Sequence, residues 1–160
     1  MIVVSNTSPL SYLVVIDRVE LLSRLFGGIV IPETVCNELA SPKAPQVVQQ
    51  WIAAAPVWLA IEVISECSDL ELQKLDAGER AAILLAERLN TDLILLDDLA
   101  ARHLAASRGL SITGTLGILD RAATENWIDF AVVVARLQQT NFRASTAIVQ
   151  ELLQKHHRPS

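Results

Sequence analysis

The stretch that most constrains this chain is Thr91-Asp92-Leu93-Ile94-Leu95-Leu96-Asp97-Asp98-Leu99-Ala100-Ala101-Arg102. Four consecutive apolar residues run into two adjacent carboxylates and then a helix-forming segment. A short, uniformly apolar run suits a strand buried on both faces, as in a parallel sheet covered by helices. In open α/β sheets ligands sit beyond the carboxyl ends of the strands, where Asp97 and Asp98 would emerge. Two carboxylates side by side repel unless something positive lies between them. The function therefore turns on whether the chain brings more acids to that edge.

Further strands and helices alternate along the sequence. Met1 to Ser5 reads as a first strand and Asn6-Thr7-Ser8-Pro9 as the turn after it, with Ser8 a natural N-cap and Pro9 a favourable first helical residue. Leu10 to Phe26 has helical apolar spacing, stopped by Gly27-Gly28. Ile29 to Ile31 is a second strand, and Pro32 opens a helix from Glu33 to Ala40. Residues 45–55 read as helical, Val57 to Ile64 contains a strand or irregular edge, and Asp69 to Lys74 reads as a helical turn. Asp76-Ala77-Gly78-Glu79 begins a strong amphipathic helix to Leu89. After the Leu93–Leu96 strand come a helix to Arg108, a stop at Gly109 and a strand at Leu110 to Thr113. Helices over 114–124, 127–137 and 145–155 complete the pattern. Strand–helix alternation predicts a three-layer α/β/α sandwich with a central, mainly parallel sheet of four to five strands.

At 160 residues the chain is expected to form a single domain over 1–155 with a frayed tail at 156–160. The apolar fraction of 51% fits buried strands. No apolar run approaches the roughly 18 residues of a spanning helix, and the uncharged first sixteen residues are interrupted by Ser5 to Pro9. A soluble cytoplasmic protein is expected. Cys36 and Cys67 show no metal-ligand spacing and read as reduced structural thiols. A net charge of −5 argues against a protein that coats nucleic acid. It does not exclude a nucleic-acid enzyme, because site carboxylates count as negative until a cation neutralises them.

Several polar residues fall at strand ends or on the helices that follow, each with a plain structural alternative. Asn6 ends the first strand and could serve as an Asx-turn residue. Glu38 sits in the last turn of its helix, where the dipole disfavours an anion, whereas Glu33 lies in the first turn and reads as structural. Glu79 follows Asp76 at capping-box spacing. Asp98 is a potential N-cap that Arg102 could pair with one turn later. Asp97, at the strand tip, is harder to explain structurally, and Asp92 at the opposite end reads as a solvated turn residue. Gly114-Thr115-Leu116-Gly117 opens a helix whose amides could hold an anion, with Thr115 capping or contacting phosphate. His103, His156 and His157 lack ligand spacing, the last two reading as tail residues. Trp51, Trp58 and the segment from Ile52 to Ala60 are either core or a patch for a partner.

Clustered carboxylates suit metal-assisted phosphodiester hydrolysis. Mg²⁺ takes one or two carboxylates plus waters and substrate phosphate. A divalent cation lowers the pKa of the water it binds and offsets charge on the phosphate.

The quoted residues resemble a known family. The segments VVSNTSPLSYL at 3–13, IPETVCNEL at 31–39, LDAGERAAILLA at 75–86, LILLDDLAAR at 93–102 and GLSITGTLGILDRA at 109–122 resemble a PIN domain, the fold of VapC-type toxin ribonucleases. They are closest to a PIN-related group of predicted nucleic-acid-binding proteins. NWID at 126–129 and NFRAS at 141–145 fit that group's C-terminal part. The resemblance implies an endoribonuclease dependent on Mg²⁺ or Mn²⁺, acting on RNA. It also implies a homodimer whose site a cognate antitoxin covers. Carried over by position, the metal set is Asn6, Glu38, Glu79, Asp97 and Asp98, with the four acids catalytic. Thr7, Ser8, Arg102 and Thr115 are candidates for substrate or phosphate contact. Asn6 departs from the family, which usually has Asp there, and an amide is a neutral, weaker ligand. Two alternatives follow: a catalytically weak or inactive module that binds RNA or protein, and a flavodoxin-like receiver. The late position of the acidic pair and the uncharged Asn6 disfavour the receiver.

Overall fold

Five short strands carry the apolar runs: β1 (Val3–Ser5), β2 (Ile29–Pro32), β3 (Leu59–Glu62), β4 (Leu93–Leu95) and β5 (Ile112–Thr113). In the computed structural model, which describes residues 1–65 and 68–157, they form one sheet in the order β3-β2-β1-β4-β5, every pairing parallel. Parallel neighbours need long crossovers, and helices supply them. α1 (Thr7–Val15) and α2 (Glu20–Phe26) link β1 to β2, and α3 (Glu33–Ala40) with α4 (Gln46–Ala53) links β2 to β3. α5 (Ala77–Leu89) precedes β4, and α6 (Leu99–Ser107) leads to β5. Val3, Val4, Ile94 and Leu95 are fully buried although neighbours in a strand face opposite ways. The sheet is thus covered on both faces, and the fold is three-layer α/β/α. On one face Ala82, Ile83 and Ala86 of α5 and Ala101 and Ala105 of α6 join Val4, Ile94 and Leu96 in one cluster.

The chain divides into two compact units, Met1–Thr115 and Leu116–Ser160. The first holds the whole sheet and α1 to α6. The second holds the body of α7 (Thr115–Thr124) with α8 (Phe130–Gln138) and α9 (Thr146–Lys155). Its buried residues include Leu119, Phe130, Val134 and Leu137. Among the described residues no helix is long and apolar enough to cross a membrane. Cys36 is a half-buried free thiol, while Cys67 lies outside the described residues.

Several expected boundaries move. The helix expected over Leu10 to Phe26 is two helices, because Asp17 adopts φ 60° and ends α1. α1 starts at Thr7 with Asn6 in the N-cap position, not at Pro9 with Ser8. α8 begins at Phe130 instead of Trp127, since Asp129 caps it by accepting from Val132 N–H (3.4 Å). His156 is not a frayed residue. Its Nε2 lies 2.6 Å from Asp120 Oδ1, which also accepts from Lys155 Nζ at 2.9 Å, and its ring packs on Phe130 with centroids 5.0 Å apart. Trp51 and Trp58 are both half-buried, their rings 6.0 Å apart.

Asp17 is one of four left-handed residues that end helices in the same way. Asp17, Asn90, Gly109 and Asn126 all have positive φ. In each case the following N–H reaches back five residues: Arg18 to Leu13 O (2.7 Å), Thr91 to Ala86 O (3.0 Å), Leu110 to Ala105 O (3.1 Å) and Trp127 to Ala122 O (3.0 Å). These bonds satisfy carbonyls left open at the helix ends. Only one of the four residues is glycine, so the others carry a side chain in a conformation that disfavours it. Asp17→Gly should therefore stabilise the protein by about 0.5–1 kcal/mol, seen as a rise in Tm of about 1–4 °C. A fall in Tm would show that the Asp17 side chain contributes more than its backbone costs.

Candidate active site

Asn6 is the fixed point. Its N–H donates to Leu95 O (3.0 Å), so the chain leaves β1 beside the end of β4. It stands at the N-cap of α1, yet its side chain makes no capping bond, and the Asx-turn alternative is not met. The residue is only 4% exposed. Among the described residues its Oδ1 accepts no hydrogen bond. Leaving a buried carbonyl unpaired costs about 1–3 kcal/mol, a cost that a donor or a cation would remove.

Glu38 comes from α3. Thr7 Oγ1, at the start of α1, donates a short hydrogen bond to its Oε1. The same carboxylate, Oε1 foremost, lies beside Gly78 of α5. There it lies against the first turn of α5, where the dipole favours an anion, although its own helix end does not. Thr7, expected as a substrate contact, is engaged with Glu38, and Ser8 is half-buried in the same first turn of α1.

Glu79 fills its structural role completely. Asp76 Oδ1 accepts from Glu79 N–H (2.9 Å), and Asp76 N–H donates back to Glu79 Oε1 (3.3 Å), closing a capping box. The same carboxyl is buried, and burial, then the charges of Asp76 and Asp98, raise its pKa from 4.5 to about 7. Asp98 is therefore within electrostatic reach of Glu79. It is exposed, and its Oδ2 caps α6 by accepting from Ala101 N–H (3.0 Å).

Asp97 is held from another side. Its carboxylate accepts from Thr115 N–H (2.7 Å) and Thr115 Oγ1 (2.8 Å), so the anion received by these donors at the start of α7 is the chain's own. Burial pushes the Asp97 carboxyl up, opposed by the Thr115 bonds and the Arg102 charge. Arg102 turns from Asp98 toward this group, its Nη1 donating to Leu96 O (2.9 Å). Gly114 makes the approach possible: a Cβ there would lie 2.7 Å from Arg102 Nη1 and 2.8 Å from Asp97 Oδ1. Tyr12 was not singled out from sequence. Burial and then the Asp97 charge raise its phenol pKa, which places it near the site. As the only tyrosine in the chain, in an apolar helix face, it offered just its polar tip as a signal.

A family model described as PIN domain (DUF3368) matches residues 2–158. The chain is a PIN domain. It therefore has a nuclease-type fold. No curated protein and no solved structure matches it significantly. Within this PIN domain, no group of three or more His, Cys, Asp or Glu side chains among the described residues is poised to hold a metal. The donor chemistry nonetheless fits a hard cation: carboxylates and one amide oxygen. The unpaired Asn6 Oδ1 and the like-charge stress on Glu79 are both features that a divalent cation would relieve.

Glu79 yields a test by pH. Its carboxyl titrates near 4.5 when unfolded and near 7 when folded, so between these values the folded state binds more protons. The stability this contributes is full below about pH 4.5 and is lost as pH rises through 7. Glu79→Gln preserves the capping geometry and removes the titration. Urea unfolding at pH 5 and pH 8 should show wild type losing more stability between the two than the glutamine variant. Equal losses would remove Glu79 from this role.

Proposed function

We propose that this PIN domain is a divalent-metal-dependent endoribonuclease, the toxin of a toxin–antitoxin pair. The observation that carries the reading is Asn6 Oδ1, buried and unpaired where β1 and β4 end, close in the fold to where Asp97 and Asp98 follow. Asn6, Glu38, Glu79, Asp97 and Asp98 would hold Mg²⁺ or Mn²⁺, with residues 1–155 acting as one nuclease domain. The cation would supply Lewis acidity toward water and charge stabilisation at the scissile phosphate. The chain's own residues do the rest. Thr7 fixes Glu38, Thr115 fixes Asp97, and Arg102 holds a positive charge beside Asp97. Burial and the charges of Asp76 and Asp98 raise the Glu79 carboxyl to about 7, and a bound cation would favour its ionised form. A cytoplasmic homodimer with an antitoxin over the site completes the reading.

A second reading, a PIN domain that binds RNA or protein without cutting, is favoured by the neutral Asn6 and by the unassembled carboxylates. One experiment separates the two. Purified protein should take up Mn²⁺ in a calorimetric titration and cleave single-stranded RNA with Mg²⁺ or Mn²⁺. Asp98→Asn keeps a good N-cap on α6 and removes only the charge. It should lower cleavage by more than the 10–100-fold, roughly, that groups supporting a metal ligand contribute. Cleavage equal in wild type and variant would end the nuclease reading, and no heat at millimolar Mn²⁺ would favour the binding module.

A further inference from the structure

Gly78 is the second residue of α5, and its backbone is that of an ordinary helical residue. Glycine is the poorest non-proline choice there, because alanine would hold the helix better. No conformational need explains it. Space does: a Cβ at position 78 would lie 2.8 Å from both Cδ and Oε2 of Glu38, and closer still to Oε1. Real side-chain carbons do not approach so near. The Glu38 carboxylate lies beside this bare stretch of backbone, and its nearest atom, Oε1, also accepts from the Thr7 hydroxyl. Moving Oε1 away from position 78 would disturb that hydrogen bond.

We propose that Gly78 is a positioning residue for the site: its missing side chain is the space in which the Glu38 carboxylate sits, next to the turn that carries Glu79. The inference rests on the cation-binding reading of these carboxylates, and it adds a residue that contributes no ligand atom. An alanine at 78 would force the Glu38 carboxylate to shift while improving the helix. Glycine at 78 therefore runs against local helix preference. Steric control through a neighbouring residue also explains how Glu38, at an unfavourable helix end, keeps a defined place beside α5.

The test is a double-mutant cycle on the full chain with Gly78→Ala and Glu38→Asp, read by metal-free thermal melting and by Mn²⁺ calorimetry. Alanine alone should lower Tm by about 2–4 °C, although helix preference by itself would raise it. It should also weaken Mn²⁺ binding by about tenfold or more. The shorter aspartate withdraws the carboxylate by one methylene, so in that background alanine should raise Tm and weaken Mn²⁺ no further. If alanine raises Tm in both backgrounds, or leaves wild-type Mn²⁺ affinity intact, the positioning role is wrong. If wild type binds no Mn²⁺, the cation reading fails, and the Tm cycle alone decides whether Gly78 makes room for Glu38.

Discussion

The parallel pairing of β1 with β4 is the constraint on which the other features depend. Three residue pairs, Val3 with Leu93, Val4 with Ile94 and Ser5 with Leu95, set the register. The bond from Asn6 N–H to Leu95 O extends it by one step. Both strands point the same way, so both chains leave the sheet on the same edge and at the same level. Asn6 and Thr7 go one way into α1, while Leu96, Asp97 and Asp98 go another into α6. Thr7 then reaches Glu38, and Asp97 reaches Thr115. A slip of one residue would turn each strand's buried side chains to the opposite face and separate these partners.

The four candidate carboxylates are accommodated in a shared way without a cation. Asp98 caps α6, and Asp97 takes the first amide of α7. Glu79 closes the capping box of α5, and Glu38 lies against the first turn of the same helix. Each negative group is thus placed at the electropositive start of a helix. The residual strain collects on Glu79, where burial and two neighbouring charges favour the protonated form. Asn6 contributes an acceptor without adding another charge, which limits the repulsion while leaving its oxygen unmatched.

Much of this was legible from local pattern. Uniform apolar runs identified the buried strands, and Pro32, Asp76 and Asp98 marked helix starts that the structure keeps. The break at Asp17 was hidden because Ile16 and Val19 continue the apolar spacing across it, and an aspartate in the left-handed region has no signature like glycine's. The delayed start of α8 depended on which of two polar residues near Trp127 acted as cap. At the site, the capping roles read for Glu79 and Asp98 both exist, yet they place those groups near each other instead of excluding function. The dipole argument drew attention to Glu38, but its partners Thr7 and Gly78 lie far along the chain. An unpaired oxygen such as that of Asn6 cannot be read from sequence, because it is defined by what does not surround it in three dimensions.

The capping box of α5 has an entropic consequence. A free glutamate side chain samples many rotamers, and fixing one costs about 1.5–2 kcal/mol. The hydrogen bond from Asp76 N–H restrains Glu79 as part of beginning the helix, so much of that loss falls on folding. Whatever approaches this edge of the sheet meets a carboxyl group already confined to a narrow range of directions. A motif whose ordinary purpose is to start a helix thereby leaves a pre-ordered, buried oxygen donor near the strand ends.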